Sequence, residues 1–388
     1  MRFCIAVSFA LFSLVSSADP DVRGKYSTQM ALSIISREQG ILASSSDTSA
    51  ILQAGFTQKA FRRLVSQYPH DPATTTIAQY LRRSVDSVAG PVSNATRDLT
   101  YSMDRLSSGN GLIDLYKKTG DRTYRRAFDA LRTSININHR NVEGGLWYFV
   151  YPQWSYLDGM YSLAPFYTYY TALFDAHNAT AIADMMHQLD LLWTRCNTNH
   201  TGLLVHGYDG SRTAVWADPH SGASPHVWGR SLGWYIMAYV DTLEILPPHF
   251  AAQKRVLLTR LRRMAGAIRR AADPTSGAWW QLLDQPGRAG NYIESSGSAM
   301  FTYALLKGVR LGYLEPAYTH VATRAYEHIT DTFVVYDGNG TLSYNGTVSV
   351  CSLNSTASYE YYVGRPISFN SVLGSAAFVL ASLEYERI

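Results

Sequence analysis

Gly111-Leu-Ile-Asp-Leu-Tyr-Lys-Lys-Thr-Gly120-Asp121-Arg-Thr-Tyr-Arg-Arg-Ala-Phe-Asp-Ala-Leu-Arg-Thr-Ser-Ile135 is the stretch that decides the fold. Leu112, Ile113, Leu115 and Tyr116 recur at three- and four-residue spacing, as do Tyr124, Phe128, Leu131 and Ile135, which is the spacing of one face of an α-helix. Between the runs, Gly120 can take the left-handed conformation that closes a helix, and Asp121 can accept from the N–H groups that open the next. The stretch reads as a helical hairpin.

The pattern repeats outward in both directions. Helices are expected at 77–88, 159–175, 179–195, 229–246 (stopped by Pro247-Pro248), 250–272, 295–311, 316–333 and 367–385, with one or two before residue 65. Long loops rich in Gly, Trp, Tyr and His separate alternate helices at 139–158, 197–228 and 274–294, and loops of that length are more often functional than not. Paired helices around a closed ring, with the long loops gathered at one mouth, fit this layout. A hairpin is expected only at 333–336 and 341–350, with Asp337-Gly338 and Asn345-Gly346 as turn signals.

Composition narrows the function. Of 388 residues, 46% are hydrophobic and 16% charged, which excludes disorder, collagen and coiled coil. A net charge of +4 with no run of five or six like charges gives no sequence footprint for nucleic acid. Residues 1–18 run from Arg2 through an apolar stretch to Ser16-Ser17-Ala18, the form of a signal peptide, leaving 19–388 as one domain and the protein as secreted and extracellular. Sequons at Asn94, Asn178, Asn199, Asn339, Asn345 and Asn354 agree with export. Cys196 and Cys351 then remain, expected near the surface and joined by a disulfide, with two buried free thiols as the alternative. The polar interruptions of 367–383 favour a packed last helix over a lipid-anchor signal.

Several loops carry chemistry. Asp104 in Tyr101-Ser-Met-Asp and Asp158 in Trp154-Ser-Tyr-Leu-Asp-Gly-Met-Tyr161 each open a helix beside aromatics; either could be a plain cap, and together they make the carboxyl pair of most glycoside hydrolases. His206 and Asp209 share a glycine-flanked loop; His220 and His226 follow without metal-ligand spacing, so neither metal nor cofactor is expected. In Ser224-Pro-His-Val-Trp228-Gly-Arg230-Ser-Leu-Gly-Trp234-Tyr, Arg230 and Trp234 share a helix face with Trp228 just before it, an arrangement able to hold a carboxylate and stack a sugar, or simply a structural pair and core indoles. Glu143-Gly-Gly-Leu-Trp147 and Trp279-Trp280-Gln-Leu-Leu-Asp284-Gln-Pro-Gly-Arg288 add charged and indole groups in the other loops.

Together with Trp216-Ala-Asp-Pro219 and Ser296-Gly-Ser-Ala-Met-Phe301, and in this order, these blocks resemble the unsaturated rhamnogalacturonyl hydrolases, glycoside hydrolase family 105, from about residue 25 to the end. The resemblance implies an all-α (α/α)6 barrel that removes a terminal 4,5-unsaturated uronic acid from pectin-derived oligosaccharides. It implies that Asp158 is the catalytic carboxyl and Asp104 the second. It also implies that His206, Trp228, Arg230 and Trp234 line the subsite for the unsaturated sugar. Two places depart from the pattern: Arg105 and Ser107 stand where an Ile-Asn-like continuation is expected, and the residue after Trp147 is not the expected His.

The implied substrate is a vinyl ether. Protonating C4 leaves positive charge at C5 and the ring oxygen, where water adds, and the hemiketal then opens and expels the aglycone. Asp158 has to arrive protonated, a demand that burial and the charge of Asp104 would meet. Two alternatives remain at this point: an inverting glycosidase on saturated sugars using the same pair, and a non-catalytic carbohydrate-binding protein. No partner chain is implied, and a monomer is expected.

Overall fold

The computed structural model describes residues 25–42, 49–198 and 200–388. Its helices are α1 (Tyr26–Ser36), α2 (Ala50–Gln67), α3 (Thr74–Ala89), α4 (Ala95–Asp98), α5 (Gly109–Thr119), α6 (Arg122–Asn136), α7 (Asp158–Phe174), α8 (Ala179–Cys196), α9 (Gly229–Ile245), α10 (Ala251–Ala271), α11 (Ser295–Arg310), α12 (Ala317–Phe333), α13 (Tyr359–Val363) and α14 (Val372–Tyr385). A 3-10 turn, Met103–Ser108, runs directly into α5. Helices α2, α5, α7, α9, α11 and α14 form an inner ring that closes where α14 packs on α2. Each inner helix is backed by an outer one, α3, α6, α8, α10, α12 and, behind α14, the first helix α1. This is the (α/α)6 barrel.

Sequence assigns helices to the two rings through burial. In α9, 15 of 17 residues are buried, and in α14, 13 of 14, whereas α10 buries 6 of 21. A helix apolar on every side belongs inside, and one with a single apolar stripe lies on the surface. The inner helices touch closely enough to dictate residues: a Cβ on Gly297 would sit 3.1 Å from the carbonyl carbon of Gly229 in the neighbouring helix. The α5–α6 hairpin forms as read, with Gly120 at φ +73° donating its N–H to Tyr116 O and Asp121 accepting from Thr123 N at 2.8 Å.

The first-turn regions of the inner helices meet at one mouth, and the long loops are knitted over it. Strand β1 (Trp154–Tyr156) of the first loop pairs antiparallel with β2 (Gly207–Asp209) of the second, and Trp228 bridges Leu282 of the third. The β1–β2 pair was not expected, because three-residue strands carry no readable period. The expected hairpin is β3 (Val334–Tyr336) with β4 (Leu342–Tyr344), and the segment after it folds back over the mouth.

Two expectations need correction. The last helix starts at Val372, since Ser368 to Ser371 form a turn in which Asn370 has φ +59°. The Cys196–Cys351 disulfide does not form, and neither thiol is near the surface. Cys196 ends α8 inside the main core, while Cys351 belongs to a separate apolar cluster over the mouth, beside Gln281. The proposed signal segment and Asn199 lie outside the described residues; the other five sequon asparagines are exposed or half-buried. No helix among the described residues is long and apolar enough to cross a membrane.

Candidate active site

The mouth opens into a cavity of about 620 Å³ with Asp104 and Asp158 in its lining. Helix N-termini surround it: Asp158 is the first residue of α7, Asp104 lies in the first turn before α5, and Arg230 is in the first turn of α9. Their aligned dipoles make the floor favourable to negative charge.

Asp104 is buried, with Oδ2 accepting from Tyr148 Oη at 2.6 Å and Ser102 Oγ at 3.0 Å. Its Oδ1 has no partner among the described residues. Burial raises its pKa to about 6; the Tyr148 bond opposes the rise and the charge of Asp158 adds to it. Burial, and then the charge of Asp104, pushes the Tyr148 phenol far above its ordinary value, so it remains a donor. Arg105 anchors the turn from beneath, donating to Ser134 Oγ, Asn138 Oδ1 and the carbonyls of Tyr101 and Ser102.

Asp158 Oδ2 accepts from Ser231 Oγ at 2.5 Å. His206 Nε2 lies 3.2 Å from the same oxygen, at an angle that does not complete a hydrogen bond. The other ring nitrogen, Nδ1, is 2.7 Å from Tyr362 Oη, and the imidazole is fully buried, packed on Trp228 and Tyr156. Burial keeps Tyr362 protonated. A buried carboxyl thus has one oxygen fixed by a serine and backed by an oriented imidazole, which suits a group that must pass a proton in one direction.

Trp228, Arg230 and Trp234 also line the cavity, as their spacing on α9 requires. The guanidinium of Arg230 lies 4.8 Å over the Trp228 ring and donates to Val348 O at 2.6 Å and Ser349 O at 2.8 Å, with Glu294 at 3.9 Å. It both faces the cavity and ties the post-hairpin segment to α9. Trp234 packs against Phe56 and Tyr161.

All six expected site residues therefore meet around one space, either in the cavity lining or, for His206, directly behind Asp158. Other candidates do not. Asp209 accepts from the backbone N–H groups of Ser211, Thr213 and Ala214 and shapes a turn. Glu143 pairs with Arg195, and His226 with Asp284, holding loops together. Ser231, Tyr148 and Tyr362 were missed. Ser231 sits inside the quoted Trp-Gly-Arg block, and Tyr148 occupies the place where His was expected, so that departure itself marked a contact with Asp104.

Comparison with known proteins meets this geometry. The family model described as Glycosyl Hydrolase Family 88 matches residues 47–388. The chain belongs to the glycosyl hydrolase family 88/105 group. Within that group it is similar to a family 105 glycoside hydrolase from C. acetobutylicum ATCC 824, at 33% identity and TM-score 0.85, covering 94% of this chain and 100% of that one. A 24.9 kDa protein of the picA locus of Rhizobium radiobacter is 39% identical over 193 residues, 47% of this chain and 82% of that protein. The unsaturated glucuronyl hydrolase of Bacillus sp. GL1 shares the fold at 14% identity and TM-score 0.68, over 94% and 96% of the two chains. This member of the family 88/105 group is a glycoside hydrolase.

Proposed function

We propose that the protein removes a terminal 4,5-unsaturated uronic acid from pectin-derived oligosaccharides, rhamnogalacturonan fragments first among them, by hydrating the C4=C5 double bond. The observation that carries this reading is the pair of buried carboxyls, one with its pKa raised to about 6, at the floor of an indole- and guanidinium-lined cavity. Ser231 occupies Oδ2 of Asp158 as a donor, which leaves Oδ1 to carry the proton to C4. The resulting cation at C5 is met by water, whose proton returns to Asp158. The hemiketal so formed opens the ring and releases the aglycone, so one water is consumed and the acid is regenerated. Ionised Asp104 faces the developing positive charge, while Trp228, Arg230 and Trp234 bind the uronate ring. Export, with glycans at some of the exposed sequons, suits a polymer found outside cells.

The test is to incubate pectin-lyase digests of rhamnogalacturonan and of homogalacturonan with wild type and Asp158→Asn. Loss of the ultraviolet absorbance of the conjugated double bond, with wild type alone and faster on rhamnogalacturonan, is expected. Release of reducing sugar with the absorbance retained would show direct displacement on saturated linkages. No turnover on either digest would overturn the assignment to pectin-derived fragments.

A further inference from the structure

The outer helix α10 carries Lys254, Arg255, Arg260, Arg262, Arg263, Arg269 and Arg270, and no Asp or Glu. In sequence these cations are interrupted, so they form no run of like charge. The helix reassembles them. With 3.6 residues per turn, the exposed arginines 255, 262, 263, 269 and 270 fall within an arc of about 120°, opposite the face that buries Leu257, Leu261, Met264 and Ile268. Among the described residues only Arg260 of the seven is paired with a carboxylate, that of Asp190. Arg262, Arg263 and Arg270 donate to backbone carbonyls instead and keep their charge uncompensated.

Beside this stripe lies a second feature. Trp193 of α8 is half-buried, with the guanidinium groups of Arg260 and Arg263 at 5.4 and 5.7 Å from its ring. Together with Arg255, Val256 and Thr259 they line a shallow groove of about 320 Å³, on an outer wall whose residues are separate from those of the mouth. An indole flanked by arginines offers a stacking surface and carboxylate forks at once. Bare positive charge would serve any polyanion; the indole in the groove favours one made of sugar rings.

We propose that the α8–α10 wall is a non-catalytic anchoring site for an acidic polysaccharide, a polyuronide chain whose carboxylates pair with the α10 stripe while one ring stacks on Trp193. Such a site concentrates the protein on polymer and is independent of the reaction at the mouth. Attraction between an extended polyanion and an exposed stripe is screened beyond about 8 Å at physiological salt, so binding falls steeply as salt is raised.

The probe is polygalacturonate with saturated ends, which offers no alkene, so its binding is read whether or not the proposed hydration is correct. In affinity gel electrophoresis, wild type is retarded by polygalacturonate more than by poly(vinyl sulfate) or duplex DNA of matched charge. The double variant Arg255→Glu/Arg263→Glu, at exposed positions, weakens retardation by about tenfold, on the scale expected for reversing two surface charges. Its turnover of a short oligosaccharide substrate and its Tm stay at wild-type values. Trp193→Ala weakens binding to polygalacturonate while leaving that to poly(vinyl sulfate) unchanged. Unchanged retardation of the double variant overturns the proposal. So does equal retardation by all three polyanions, which would make the stripe a charge patch without sugar recognition.

Discussion

The two ends of the barrel bury carboxylates in opposite company. At the mouth, Asp104 has an acid, Asp158, as its charged neighbour in the cavity and phenol and serine donors on one oxygen only, and burial lifts its pKa to about 6. Near the C-terminal end of α9, Asp241 is equally buried but receives Lys59, Lys307 at 2.5 Å and Tyr303 Oη at 2.8 Å, while Glu244 receives Lys307 at 2.7 Å and Arg63. Those cations outweigh burial and hold both carboxyls well below the usual range. Burial alone therefore does not mark chemistry; burial with an unsatisfied oxygen and a like-charged neighbour does.

The contrast can be broken at several points. The largest effect is expected for Asp158→Asn, which removes the proton donor and should lower kcat by about 10² to 10⁴-fold with little change in Tm, read from the loss of double-bond absorbance. Next comes one substitution at both ends. Asp241→Asn leaves Lys59 and Lys307 short of a counter-charge and should destabilise by about 3 to 5 kcal/mol in denaturant titration, without altering the pH profile of the folded enzyme. Asp104→Asn should do the reverse. Its folded pKa stands above the ordinary 3.8, so the folded state binds the proton more tightly and wild-type stability falls as pH rises from 3.8 to about 6. Removing that carboxyl should stabilise by about 1 to 3 kcal/mol at pH 7, with the gain vanishing in acid, while activity is lost. A Tm that drops in both variants would erase the distinction between the ends.

Smaller effects refine it. Wild-type activity should rise as pH increases through about 6, where Asp104 ionises and can face the developing positive charge. Tyr148→Phe deletes a bond that favours ionised Asp104, so that limb should move upward by about one unit. Last, a thiol reductant should leave Tm unchanged, because Cys196 and Cys351 are free and buried; a fall would restore the disulfide.

The barrel was legible because its signal is local and repeated: Gly120-Asp121 and the spacing around it set a hairpin whatever else the chain does, and Pro247-Pro248 ends α9 in the same way. The carboxyls and the indoles of the mouth were legible as blocks. What could not be read is how side chains from distant loops meet. Tyr362 reaches His206 across 156 positions, and Ser231 reaches Asp158 across 73, with no period or motif linking the partners. The cysteines misled because shared proximity to sequons says nothing of whether two residues share a core. The cations of α10 were invisible as a stripe because interrupted spacing hides what a helix brings onto one face.

The ring is sealed by its ends. Helix α14 fills the gap between α11 and α2, and α1, behind it, ties Ser27 N and Oγ to the carboxylate of Glu386. Until α14 is in place the inner flanks of α2 and α11 stay uncovered, so the ring closes only through contacts as distant in sequence as Ser27 and Glu386, 359 positions apart. Contacts of such sequence separation carry a large loop-closure cost, so sealing the ring should be the slow step of folding.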